Sequence, residues 1–192
     1  MIGDYKGKVK YKVITALLQT YLDTLDYDGM KSILKEAGLL ELRNQKDFNP
    51  ENSIDFFSFK KILAAQNCLL YQCSELLFEI GRKFSFYLFP FGKNFEDSIR
   101  EITELIDTDW NIEIIKKDEE EVKLKVENCI FCTEIGISCT LFKGFIVHTL
   151  EKTLTSEKEV ICETNEENLQ DPNHNSFILT LKIKNKKLNK IK

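Results

Sequence analysis

From Trp110 to Val126 the chain reads W-N-I-E-I-I-K-K-D-E-E-E-V-K-L-K-V, and this run decides the fold class. Trp110, Ile112 and Ile114, then Val122, Leu124 and Val126, alternate with polar residues on either side of the acidic turn Lys117 to Glu121. Period two sends successive side chains to opposite faces, so the run predicts an antiparallel hairpin with one dry and one wet face.

Upstream of it the period is helical. Between Lys10 and Leu25, the residues Ile14, Leu17, Leu18, Tyr21, Leu22 and Leu25 recur at spacings of three and four. A second short helix is expected from Asp28, as N-cap, to Ala37, with Gly38 as its C-terminal stop. Arg43 to Asn52, which contains Pro50, reads as a loop. A helix from Asp55 continues through Leu69, Leu70, Cys73, Leu76, Leu77, Ile80 and Phe84 nearly to Pro90. After a break at Phe91-Gly92-Lys93-Asn94, another helix carries Phe95, Ile99, Ile102, Leu105 and Ile106 on one side.

Downstream of the hairpin, a helix is expected from Cys139 to Leu154, then strands at Val160–Cys162 and Phe177–Ile183 around a long acidic loop. Helices first and strands paired as hairpins give an α+β class. The expected architecture is a helical layer on a twisted antiparallel four-stranded sheet, in the order α-α-α-α-β-β-α-β-β. Residues 1–184 read as one domain and residues 185–192 as a lysine-rich tail.

The 192 residues are 43% hydrophobic, enough for one core without disulfide staples. No apolar run approaches the roughly 20 residues of a membrane span, and the N-terminus lacks the apolar core of a signal peptide, so a soluble, cytoplasmic protein is expected. In that compartment six cysteines favour thiols or a metal site over a disulfide framework. A net charge of -4 argues against a nucleic-acid partner. The tail, with Lys182, Lys184, Lys186, Lys187, Lys190 and Lys192, suits either solvation or peripheral contact with an anionic membrane or RNA.

The segment C-I-F-C-T-E-I-G-I-S-C-T-L-F-K-G, from Cys129 to Gly144, concentrates the chain's sulfur. It reads three ways: half a metal site, a reactive or acylatable thiol, or a turn feeding a tightly packed helix. Cys129 and Cys132 form a CxxC pair, and Cys139 with Cys162 would complete a zinc tetrahedron, with Glu134 or His174 as substitutes. Cys139 also stands at a helix N-terminus, where the peptide dipoles favour thiolate. No histidine adjoins it to make a catalytic set, and the chain shows no P-loop, GxGxxG or HExxH. His148 reads as a packed imidazole. Gly144, inside the helix, reads as a point of close approach by another element.

Aromatic residues crowd the interval from Phe56 to Phe91, which suits either a dense core or an elongated apolar pocket. Several local patterns then suggest a family. Gly29-Met-Lys-Ser-Ile-Leu-Lys-Glu-Ala-Gly38, Leu76-Leu-Phe-Glu-Ile-Gly-Arg-Lys-Phe84, Cys139-Thr-Leu-Phe-Lys-Gly144 and Asp171-Pro172 together resemble the 4-vinyl reductase hydrocarbon-binding domains, related to the core subunits of TRAPP tethering complexes. The resemblance implies a mixed fold with an apolar cavity and, in some members, a cysteine zinc site on which Cys139 and Cys162 would fall. The family's last cysteine is absent, since Asn175 and Ser176 stand there. The resemblance also places Cys68 near a cysteine that is acylated in some TRAPP subunits.

The expectation is therefore a non-enzymatic binding module. It would hold a hydrophobic small molecule or fatty acyl chain in a pocket lined by Leu77, Ile80, Phe84, Tyr87 and Phe145, with zinc on Cys129, Cys132, Cys139 and Cys162. The alternative is a TRAPP-like structural subunit in membrane tethering. Either would act as a homodimer or as a heterodimer with a related subunit.

Overall fold

The hairpin between Trp110 and Val126 is present. The computed structural model describes residues 6–44, 49–89, 93–131, 139–164 and 176–186. Strands β4 (Asn111–Lys117) and β5 (Glu121–Glu127) pair antiparallel, with Ile112 opposite Val126 and Ile114 opposite Leu124. Asp118 closes the turn: its Oδ1 accepts from the amides of Glu120 and Glu121 at 2.9 and 2.8 Å, and its carboxyl is held down at about 2, first by Lys116 and then by those amides. A register shift between Ile114 and Lys116 marks a bulge.

The sheet is completed by β6 (Lys158–Thr164) and β7 (Ser176–Asn185). Its order is β4-β5-β7-β6, antiparallel throughout. Val122, Leu124, Val126, Leu179 and Leu181 are fully buried on its inner face, against α5 (Thr140–Glu151) and the rest of the core.

The helical half differs from expectation in two places. Helix α1 (Tyr11–Glu36) is two helical segments joined by a kink at Asp26, whose φ of 62° and ψ of -172° are not helical. The Asp26 carboxylate accepts from the amides of Asp28 and Gly29 at 2.8 and 3.0 Å, so the cap of the second half is Asp26 and not Asp28. The end is as expected: Gly38 has φ +68°, and Leu39 N donates back to Leu34 O. The second difference lies at Tyr71-Gln72-Cys73, where the single long helix divides into α2 (Phe56–Leu70) and α3 (Ser74–Leu88). No Gly or Pro marks this turn, and the helical period carries across it. The two halves instead serve different partners, α2 packing on α1 and α3 on α5 as well as α1.

Asp55 caps α2 through Ser58 N at 2.8 Å, and Asn94 caps α4 (Phe95–Leu105) through Asp97 N at 2.7 Å. Three strands too short to read from sequence form a second sheet. In it β1 (Lys8–Lys10) lies between β2 (Ser53–Asp55) and β3 (Ile106–Asp107), both antiparallel to it. This clasp buries Val9 and ties the start of α1 to the start of α2 and the exit of α4. The α+β class and the antiparallel four-stranded sheet are as expected; the order of elements is changed by the clasp and by the divided central helix.

Where α1 meets α2, the buried Tyr21 hydroxyl donates to Gln66 Oε1 at 2.7 Å, and Gln66 Nε2 donates on to Asn67 Oδ1 at 3.1 Å. Burial drives the Tyr21 phenol far above its ordinary value. Tyr21→Phe is expected to cost about 1–2 kcal/mol in urea unfolding, because Gln66 loses its donor in a site that water does not reach.

Candidate functional site

Two features stand out where α5 joins the rest of the molecule: its seam with α3 and its junction with β5. The seam is made by two glycines. A Cβ on Gly81 of α3 would lie 1.9 Å from Leu141 O, and one on Gly144 of α5 would lie 2.0 Å from Phe78 O. The two helix backbones are therefore in contact, each glycine receiving the other helix's main chain. Next to this contact Phe84, Phe89 and Phe145 form an aromatic cluster, with ring centroids 5.2 Å (Phe84–Phe145) and 5.9 Å (Phe89–Phe145) apart.

Polar groups cross the same seam. The Ser85 and Thr149 hydroxyls are 2.7 Å apart and buried. Arg82 donates to Glu151 Oε2 at 2.8 Å, while Glu151 Oε1 accepts from Val160 N at 3.4 Å and so links α3, α5 and β6. Lys152 Nζ donates to Ser85 O and Phe89 O at 3.1 and 2.7 Å, capping carbonyls at the end of α3. Burial lowers the Lys152 ammonium to about 8.

His148 belongs to this seam as well. Both of its ring nitrogens are buried without a hydrogen-bond partner among the described residues. Burial, then Arg82 and Lys152, push its pKa down from 6.5 to about 4, against a smaller opposing effect of Glu151. The folded chain thus binds fewer protons than the unfolded chain between these two values. Stability associated with His148 is complete above about pH 6.5 and is lost as pH falls toward 4. His148→Leu is expected to flatten that part of the curve of urea midpoint against pH. At neutral pH it should add about 1 kcal/mol, because two unpaired polar atoms leave the interior.

At the junction, Cys129 follows β5 and Cys139 precedes α5, and their Sγ atoms are 3.5 Å apart. Cys139 is disulfide-bonded. A disulfide here departs from the expectation of reduced cysteines. Beneath the junction Trp110, Phe131 and Phe142 form a triad: Phe131 stacks on Phe142 at 5.5 Å, and Trp110 meets both edge-on at 5.6 and 5.9 Å.

These positions correct the expected site. Leu77, Ile80, Phe84 and Phe145 are buried core residues at or beside the seam where Gly81 and Gly144 bring the helices together. Tyr87 is half-buried and turned toward Asp23 of α1, which also receives Lys83 at 2.9 Å. The zinc set is not assembled: among the described residues no group of three or more His, Cys, Asp or Glu side chains could hold a metal ion. Cys162 lies on β6, its thiol raised to about 11 by burial, a poor state for a thiolate ligand. Cys68 is exposed on the last turn of α2, and Cys73 is exposed just before α3. Cys132, Glu134, His174, Asp171-Pro172 and the tail from Lys187 lie outside the described residues. No described helix is long and apolar enough to cross a membrane.

Sequence reading met Gly81 and Arg82 only as part of a family pattern and did not single out Ser85, Thr149, Glu151 or Lys152. The available signal was a pair of glycines inside two strongly apolar helices, one of them read as a close approach without its counterpart.

No family model matches the sequence, and no curated protein matches it. Solved structures do match in fold. A doubly substituted variant of Tt H-NOX aligns with a TM-score of 0.61 at 17% identity, covering 93% of this chain and 96% of that one. An iron(II), unliganded H-NOX variant from K. algicida aligns at 0.60 and 12%, covering 94% and 98%. An oxygen-binding H-NOX domain related to soluble guanylate cyclases aligns at 0.59 and 17%, covering 93% and 96%. This overturns the resemblance to 4-vinyl reductase domains and TRAPP subunits, and with it the hydrocarbon-holding, tethering and zinc readings, which rested on short local patterns of order and spacing. Over nearly its whole length, this chain has the fold of H-NOX domains.

Proposed function

We propose that the chain is a non-enzymatic, signal-responsive domain on the H-NOX fold in which His148 does not ligate a haem. The fold raises the question of haem directly, since one of the similar structures is an oxygen-binding domain and another is an iron(II) protein. Protein-held haem takes an axial His, Cys, Met or Tyr. Bound, it would supply an iron centre for a diatomic ligand.

His148, Tyr21 and the described cysteines do not fit that group. His148 is the described histidine, and a neutral imidazole with an unpaired nitrogen suits iron in principle. It stands, however, one turn beyond Gly144, where the backbones of α3 and α5 touch, with Arg82, Glu151 and Lys152 around it. A macrocycle on either nitrogen would have to part the two helices. Tyr21 is held as a neutral phenol by burial and its bond to Gln66. Cys139 is already bonded, Cys162 is held as a thiol, and Cys68 and Cys73 are exposed.

The closed α3–α5 seam around His148 carries this reading. The non-enzymatic part is supported by the same side chain, whose proton affinity is far too low for general-base work near neutrality. Titration of the full chain with haemin, followed by absorbance, is expected to give only weak, non-saturating spectral change. A saturable one-to-one Soret band would overturn the proposal, and its loss in His148→Ala would identify the ligand.

A further inference from the structure

We propose that Glu151 is a latch joining the α3–α5 seam to the edge of the sheet, and that a proton taken up by His148 opens it. The carboxylate holds two elements at once: Oε2 accepts from Arg82 of α3 at 2.8 Å, and Oε1 accepts from Val160 N of β6 at 3.4 Å. In the sheet β6 is an edge strand, paired with β7 alone. Val160 stands opposite Ile183, whose amide donates to Glu120 O at 2.7 Å and not to Val160. Opposed residues in an antiparallel ladder exchange both bonds or neither, so this pair exchanges neither and the Val160 amide points to the open edge. There it meets the Glu151 carboxylate.

The two contacts are unequal. The Arg82 bond is short and charged on both sides, whereas the Val160 bond is long, so the second is the one that yields to a competing donor. His148 is placed to supply that donor. It precedes Glu151 by three residues, a spacing that brings two side chains to one face of a helix. Protonation gives its ring two N–H groups, and neither nitrogen has a partner in the closed seam among the described residues.

The charges acting on the ring are Arg82 from α3 and Lys152 and Glu151 from the end of α5. Elements α4 and β6 also pack on α5 and, among the described residues, bring no charge to it. Glu79 lies 3.8 Å from Arg82, and Lys152 is committed to Ser85 O and Phe89 O. A proton on His148 therefore sets a third cation beside the Glu151 carboxylate. The imidazolium draws Oε1 to itself, Val160 N loses its acceptor, and β6 is released from the end of α5 while the glycine contact between α3 and α5 stays shut. Burial and the two cations keep the ring neutral until about pH 4, so the latch is closed near neutrality. This inference rests on the reading that His148 does not ligate a haem, and the two fail differently. A haem-bound His148 shows as a saturable Soret band, and a failed latch as a Val160 amide indifferent to His148.

The test follows the Val160 amide and the His148 ring of the full chain by heteronuclear NMR from about pH 6.5 to 4, with the Leu181 amide of β7 as the check on the fold. The expected result is a Val160 shift with the same midpoint as the His148 ring. Protection of that amide, corrected for the pH dependence of exchange itself, should fall by about three- to tenfold while that of Leu181 holds. In His148→Leu the Val160 amide should stay protected over the whole range. Glu151→Ala should expose it by a similar factor already at neutral pH and leave it without response to acid. His148→Gln makes the same comparison as the leucine variant where that one does not fold. A His148 ring that titrates while Val160 stays protected overturns the proposal. Loss of Val160 protection on an unchanged curve in a folded His148 variant does the same.

Discussion

Gly81→Ala and Gly144→Ala are each expected to destabilise the protein by about 3 kcal/mol or more, although each adds a single methyl group. At these positions the new Cβ meets the backbone oxygens Leu141 O and Phe78 O at 1.9 and 2.0 Å, and backbone cannot rotate away as a side-chain tip would. The helices must separate by more than an ångström. That loosens the Ser85–Thr149 and Arg82–Glu151 links and the Phe84–Phe145 contact together. For a chain of this length the loss corresponds to a fall in melting temperature of roughly 10 °C, readable by circular dichroism. Gly38→Ala is the control: no atom lies within 4 Å of its Cβ, so only the φ of +68° opposes it, at about 1 kcal/mol. The double variant Gly81→Ala/Gly144→Ala should lose less than the two single losses added, because the first methyl already opens the gap the second needs. Full additivity, or two mild single variants, would refute the closed seam and reopen the space beside His148.

The parts of the fold legible in sequence were those set by local chemistry. Alternation gave the β4–β5 hairpin because one face of that sheet is buried and the other solvated. Gly38 marked the end of α1 because few other residues take its backbone conformation. Elements set by distant partners were not legible. Nothing near Tyr71 signals a break, and α2 and α3 separate because α1 and α5 claim them. The strands β1 and β3, three and two residues long, exist only as parts of a clasp between segments far apart in the chain. The same division holds for the site. Gly144 was visible as a close approach, but its partner Gly81 was not, so the aromatic wealth around Phe84 read as a pocket and not as a closed seam. In the cysteine segment, spacing alone cannot tell a metal tetrahedron from a pair of sulfurs in contact.

Phe142→Ala is the second large effect expected, about 3–5 kcal/mol in urea unfolding. Phe142 is fully buried and stacks against Phe131 while meeting the edge of Trp110, so truncation empties the centre of the triad and leaves both neighbours facing a cavity. The triad joins the approach to β4 (Trp110), the exit of β5 (Phe131) and the first turn of α5 (Phe142), three segments that no backbone ladder connects at this point. Trp110→Phe makes the useful contrast. The indole Nε1 is buried without a hydrogen-bond partner among the described residues, so losing part of the ring is offset by losing an unpaired donor, for a net change of about 1 kcal/mol or less. Equal destabilisation by both substitutions would mean that the ring at 142 is not the centre of this cluster, and the junction's geometry would then need another support.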